Sequence, residues 1–222
     1  LYNARVLDSL RVRFLRFAFH HFYNSFAWTY DAVSYVVSLG HWREWTKAAI
    51  PHVRGARVLE IAFGTGNLQL DMRAAGIVSY GLDLSPNMIR ITLGKLRRAG
   101  HQPRLLRGTV LRLPFADGAF DSLVLTFPPG FLRVPQAVRE MSRVLAHDGQ
   151  LVVVDSGWIR QPTIIGVLIN LAFRFTGTTD IGIDHLAWLH KIGFETQIFQ
   201  IGDERSAVQV LVARRSSFVA SR

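Results

Sequence analysis

Val58-Leu59-Glu60-Ile61-Ala62-Phe63-Gly64-Thr65-Gly66-Asn67 is the stretch that decides the fold. An apolar strand runs into a tight loop with two glycines, and the loop runs into a helix. At such a turn the backbone must pass close to a ligand, and glycine permits the approach. Outward from this point, short β-branched runs alternate with helical stretches. Strands are expected over residues 57–62, 78–83, 104–107, 119–127, 151–155, 195–201 and 207–213. Helices are expected over 66–75, 86–99, 134–145, 163–174 and 183–192, with turns at 147–149 and 202–205.

Repeated β–α alternation gives a parallel sheet with helices on both faces. The last two strands are joined by a short turn and should form an antiparallel hairpin. The expected fold is therefore α/β: a Rossmann-like, doubly wound, seven-stranded sheet, mostly parallel, ending in an antiparallel hairpin. Upstream, the first fifty residues read as helical. Leu7, Leu10, Phe14 and Phe17 form one apolar stripe, while Arg13, Arg16 and His20 share another face. An aromatic-rich segment with Phe26, Trp28, Tyr30 and Trp42 follows, ended by Pro51. The expected organisation is one domain over 1–222: a helical N-terminal cap over 1–52 and a core over 53–222, with a helical insertion at about 158–180.

The chain has 222 residues, 49% of them apolar and 19% charged, which excludes a disordered chain, a collagen and a long coiled coil. The absence of cysteine excludes disulfide scaffolds, thiol catalysis and Cys-ligated zinc, and no metal site is expected. The formal net charge is +10, and residues 1–57 carry 8 cations against 3 anions. Such an excess fits either an anionic partner or a solvated face. The longest uncharged apolar run near the C-terminus, 161–173, has 13 residues, where a spanning helix needs ~20. Arginines interrupt the N-terminal segment, so no signal-peptide pattern is present.

The second expected strand ends in Gly81-Leu82-Asp83-Leu84-Ser85-Pro86-Asn87-Met88. Asp83 would stand beside the glycine loop, where a carboxylate accepts hydrogen bonds from both hydroxyls of a ribose. A dinucleotide fingerprint requires a third glycine, and Gln69 stands at that position. Glu60 at the strand end disfavours a phosphate and favours a cationic ligand group. S-adenosylmethionine carries an ammonium and a sulfonium and no phosphate, so the electrostatics favour this methyl donor over NAD.

At these residues the chain resembles the class I S-adenosylmethionine-dependent methyltransferases, over roughly residues 58–157. The glycine loop and the Asp-Leu-Ser-Pro-Asn-Met run match. So do Leu113-Pro114-Phe115 with Asp117-Gly118-Ala119-Phe120-Asp121, and Arg143-Val144-Leu145 with Asp148-Gly149-Gln150-Leu151. Ala62 stands where most relatives have glycine; alanine also occurs there in the ubiquinone/menaquinone C-methyltransferases, which this loop resembles. Those enzymes also carry stretches similar to Tyr30-Asp31 and Ser38-Leu39-Gly40-His41-Trp42. Phospholipid N-methyltransferases have comparable openings. Phe127-Pro128-Pro129-Gly130 resembles the motif of amino-group methyltransferases only in its prolines, because Phe127 cannot hold an amine as an amide would.

The resemblance implies donor contacts from Glu60, Ala62, Phe63, Gly64, Thr65, Gly66, Asp83, Leu84, Met88, Thr109, Val110 and Thr126. Thr109 replaces an Asp that in relatives bonds the adenine amino group; either Thr109 accepts one hydrogen bond or Val110 packs on the base. Catalytic candidates are Tyr30, as a cover on the donor, His41, and Asp155 at the end of the fifth strand. His20, His21, His185 and His190 are further candidates for a base, and His185 and His190 are expected to be half-buried structural residues. The acceptor is expected to be small and lipophilic, quinone-like or a phospholipid head group. The basic, apolar N-terminal helix has the pattern of an interfacial helix, each cation near an anionic bilayer contributing ~1 kcal/mol. A cytoplasmic location, free or peripheral on the inner membrane face, follows. An RNA methyltransferase, or a donor-binding domain without transfer activity, are the competing readings; no RNA-binding module is evident, and no nucleic-acid partner is expected.

Overall fold

The structure is a computed structural model that describes residues 29–128, 130–160, 186 and 189–215. Seven strands form one sheet: β1 (Val58–Ile61), β2 (Ser79–Asp83), β3 (Leu105–Arg107), β4 (Phe120–Thr126), β5 (Leu145–Ile159), β6 (Phe194–Gly202) and β7 (Ser206–Arg215). Their order is β3-β2-β1-β4-β5-β7-β6. The first five are parallel; β7 runs antiparallel to both β5 and β6. The doubly wound, mostly parallel sheet with its closing hairpin is the architecture the alternation of runs implied.

Helices flank it, among them, in the described residues, α1 (Tyr30–Val37), α2 (Trp42–Lys47), α3 (Asn67–Ala74), α4 (Pro86–Arg98) and α5 (Pro135–Val144). Pro opens α4 and α5, where its missing N–H costs nothing. Ser85 caps α4 by accepting the Met88 amide hydrogen at 3.4 Å. The parallel strands are apolar on both faces, as a sheet covered on both sides requires. Alternation then sorts the side chains. Leu59, Ile61, Leu123, Leu125, Leu151 and Val153 face the layer that includes Val138, Met141 and Val144 of α5. Val58, Val124, Val152 and Val154 face the layer that includes Leu68 and Met72 of α3 and Trp45 of α2.

Two expectations change, while the N-terminal cap is helical where it is described. Residues 147–149 do not interrupt the fifth strand. Phe120 pairs with Leu145 and Ser122 with Gln150, so the extra residues are absorbed as an irregularity inside one long strand. That strand also continues to Ile159, because β7 offers partners as far as Ser206, so the expected insertion does not begin at 158. The N-terminal cap, where described, is two short helices parted by a turn at Leu39 and Gly40, both with positive φ. The stripe of Leu7 to Phe17, the helix over 163–174 and most of that over 183–192 lie outside the described residues. No helix among the described residues is long and apolar enough to cross a membrane.

Trp45, 2% exposed, ties α2 to the sheet. Its Nε1 donates to Ser206 Oγ at 3.2 Å, and its ring lies over Gly157, where an added Cβ would come within 2.6 Å of the indole. Gly157→Ala is expected to destabilise the protein by ~1–3 kcal/mol through overpacking, seen as a lower urea midpoint at unchanged slope.

Candidate active site at the carboxyl edge of the sheet

β1 and β4 are neighbours in the sheet, yet the chain leaves them toward opposite sides, into α3 and toward α5. A crevice opens where the strand order reverses. It holds a cavity of about 500 Å³. Ile61, Ala62 and Gly64 come from the end of β1 and its loop; Leu82, Asp83, Leu84, Ser85 and Pro86 from the end of β2 and beyond; Arg107, Gly108, Thr109 and Val110 from the end of β3 and beyond; Thr126 ends β4 and Phe127 follows it. Phe131 and Tyr30 complete the wall.

Two residues at the mouth of the crevice are left-handed without being glycine: Ala62 at φ 58° and Phe127 at φ 47°. Each still donates its amide to a neighbouring strand, Ala62 to Leu82 O and Phe127 to Val154 O, both at 2.7 Å. The positive φ explains why glycine suits position 62, and the side chain there costs about 1–2 kcal/mol of backbone strain. Phe127 stacks on Trp42, with centroids 4.1 Å apart, and Tyr30 stands edge-on to the same indole at 6.3 Å.

Asp83 is 8% exposed. Gly64 N donates to its Oδ2 at 3.0 Å, and Ser85 N to its Oδ1 at 2.8 Å. Burial pushes its carboxyl above the usual range, and the backbone donors from Ser85, Gly64 and Leu84 oppose the rise. A carboxylate offers about four lone-pair sites, so capacity for further donors remains, and Asp83 lines the cavity. Gly64 leaves open space: an added Cβ would meet nothing within 4 Å. Gly66, at φ 76°, lies under Thr92, whose methyl would be 2.2 Å from an added Cβ.

The expected site residues divide. Ala62, Gly64, Asp83, Leu84, Thr109, Val110, Thr126 and Tyr30 all line the cavity. Glu60 does not. It shares the face of Val58 in β1, so alternation turns it under α3, where it is 1% exposed and accepts from Gln69 Nε2 at 2.7 Å. Burial pushes it up to about 8, with the Gln69 bond opposing and the charges of Asp83 and Asp71 adding. It is largely protonated at pH 7, so the negative charge offered to a ligand is that of Asp83 and not of Glu60. Phe63 is buried against Gly81. Thr65 turns to Asp31, Gly66 caps α3, and Met88 is buried in the first turn of α4. His41 stacks on Trp45, with Nδ1 3.3 Å from Glu44 Oε2, and Asp155 pairs with Gln209 inside the sheet; neither lines the cavity. His190 is exposed rather than half-buried, with Nε2 2.6 Å from Thr196 Oγ1. His20, His21 and His185 lie outside the described residues. Sequence reading missed Arg107, Phe127 and Phe131 as lining groups, and Asp31; the aromatic at 127 was seen only as a failed motif.

The donor set fits S-adenosylmethionine. One buried carboxylate is prepared for a sugar diol, Val110 and Leu84 give an apolar slot for a base, and the loop crosses to α3 without a third glycine to admit a pyrophosphate. Sheet order, glycine loop and buried acid together define the class I S-adenosylmethionine-dependent methyltransferase fold. A methyltransferase structure from Methanococcus maripaludis, described as S-adenosylmethionine-dependent, superimposes with a TM-score of 0.65 at 18% identity, covering 90% of this chain and 96% of that one. The model of the ubiE/COQ5 methyltransferase family matches residues 13–173, and the chain belongs to that family. The demethylmenaquinone methyltransferase of Thermus thermophilus is 36% identical over 132 residues, 57% of this chain and 60% of that enzyme. That of Listeria welshimeri is 32% identical over 169 residues, 70% of this chain and 69% of that enzyme.

Glu60 yields a pH test. Its ordinary value is 4.5 and its folded value about 8, so the fold binds this proton more tightly than the unfolded chain does. Stability from this group is full below the lower value and is lost as pH rises through the upper one. In the ligand-free protein, Glu60→Gln should change little at pH 5 and exceed the wild type by up to a few kcal/mol at pH 9, in urea titrations across that range.

Proposed function

We propose that this protein transfers a methyl group from S-adenosylmethionine to a ring carbon of a quinone-like acceptor. The observation that carries the reading is the cavity itself: one buried carboxylate at its polar end and the rings of Tyr30, Phe127 and Phe131 on its wall. The names of the Thermus and Listeria relatives support demethylmenaquinone as the kind of acceptor, and a further relative, from Geotalea uraniireducens, is named a ubiquinone/menaquinone biosynthesis C-methyltransferase. Nothing comparable supports a phospholipid head group or RNA.

When bound, S-adenosylmethionine supplies a methyl group already activated by a positive sulfur. The chain's work is then alignment and exclusion of water. Asp83 accepts the sugar hydroxyls, and its charge favours a cationic ligand over an anionic one. Val110 and Leu84 would pack on the base, and Thr109 Oγ1, which already accepts weakly from Leu111 N at 3.3 Å, would meet its polar edge. Tyr30 and Phe127 present flat apolar surface to an aromatic acceptor, which stacks on such rings with ~0.5–1.5 kcal/mol beyond area burial.

The test is methyl transfer from tritiated donor, by the full chain, to a naphthoquinol lacking its ring methyl, with a phospholipid extract and total RNA in parallel. Label should enter the naphthoquinol alone. Asp83→Ala should weaken donor binding at least tenfold in calorimetry, since hydrogen bonds to a charged acceptor are lost. Label in lipid or RNA only, or in none of the three, overturns the reading.

A further inference from the structure

Tyr30 lines the cavity from the first turn of α1 and meets Trp42 edge-on, while the other apolar side chains of α1 are exposed or half-buried. Its one buried residue is Ser34, while Tyr35 and Val36 are 66% and 65% exposed. Burial of an apolar face is what seats most helices, so this helix is seated by something else. The residue after Tyr30 supplies it. Asp31 Oδ1 accepts from Thr65 Oγ1 at 2.5 Å and from Asn67 Nδ2 at 3.0 Å, and Oδ2 accepts from Lys95 Nζ at 2.6 Å. Lys95 Nζ also donates to Asn67 Oδ1 at 2.7 Å, closing the network.

Thr65 and Asn67 flank Gly66 in the loop that passes the cavity, and Thr92, one turn before Lys95 on α4, donates to Gly64 O at 3.0 Å. The loop is therefore held at three points: by Asp83 through Gly64 N, by Thr92 through Gly64 O, and by Asp31 through Thr65 Oγ1. We infer that Asp31 is a positioning residue for methyl transfer: by fastening the start of α1 to the glycine loop it sets Tyr30 against the donor cavity. The inference rests on the methyl-donor reading of that cavity. The edge contact of Tyr30 with Trp42 fixes the distance of one ring, whereas the carboxylate fixes the register of its helix at three polar atoms of the core. Lys95 and Asp31 are both partly open to water, so the ion pair adds little stability by itself. Its contribution is geometric.

Calorimetry with S-adenosylhomocysteine on the full chain tests this, alongside urea unfolding without ligand. Asp31→Ala should weaken binding about tenfold, the penalty of a misplaced wall group near the donor, with little movement of the ligand-free unfolding midpoint, since a partly exposed pair adds little stability. Asp31→Asn should recover part of the affinity, because a carboxamide oxygen still accepts from Thr65. Tyr30→Ala placed in the Asp31→Ala background should cost less than about twofold more, because Asp31 acts through Tyr30. Three results overturn the inference: binding by Asp31→Ala within about twofold of wild type, equal losses from Asp31→Ala with and without Tyr30, or a ligand-free midpoint that falls as far as for a core variant. If the wild type itself fails to bind S-adenosylhomocysteine, the donor reading falls and takes this one with it.

Discussion

Asp83 stands where β2 runs out, with the amide hydrogen of Gly64 on one carboxylate oxygen and that of Ser85 on the other. The first bond sets the path of the loop that leaves β1. The second sets the turn into α4, whose cap is the same Ser85. Two neighbouring strand ends are thus shaped by one side chain. Burial resists the charge on that side chain, and the backbone donors restore part of it. A ligand with two adjacent hydroxyls continues the same pattern of donation. On the proposed reading, the group that organises the loop would also receive the sugar, so that little reorganisation would be required on binding.

The position of this carboxylate follows from the sheet. β1 pairs with β2 on one side and β4 on the other, and the connections leave toward opposite faces, so a gap opens above the strand ends, where Tyr30 of α1 forms part of the wall. Ala62 and Phe127 mark the two sides of that gap, both in the left-handed region. Such strain persists only where the surroundings over-determine it. Here each strained residue extends the ladder of the adjacent strand by one hydrogen bond. The turn that points Phe127 at Trp42 and opens the wall of the cavity is the turn that costs backbone energy.

The sheet was readable because the signals for it are local. Runs such as Leu151-Val152-Val153-Val154 are apolar at every position, and Pro or Gly stands near their ends. What was not readable depends on partners far along the chain. Residues 147–149 carry Asp-Gly and look like a turn, yet pairing with β4 and β7 carries the strand through and past them. Asp83 was legible from its place at a strand end. Glu60 was visible as an acid but was aimed wrongly, because reading it as a ligand group ignored the two-residue period that turns it under α3. Asp31 was seen only as half of a dipeptide; its partners Thr65, Asn67 and Lys95 lie 34 to 64 positions away.

The N-terminal helices divide in the same way. α2 is joined to the core by apolar burial: Trp45, with Ala48 and Ala49 just beyond the helix, belongs to the layer over β5 and β7, and Gly157 leaves the room that the indole occupies. Arg43 adds a two-point pair to the buried Asp71 of α3, at 2.8 and 3.1 Å. α1 has only polar anchors on the loop side. The break between the two helices, at Leu39 and Gly40, thus separates a helix held by buried apolar side chains from one held to the glycine loop by Asp31. Tyr30 stands on the second and Phe127 follows β4, and the cavity lies between them. One wall of the cavity is therefore set by polar bonds of fixed direction, and the other by ring stacking on Trp42 and a strand hydrogen bond to Val154.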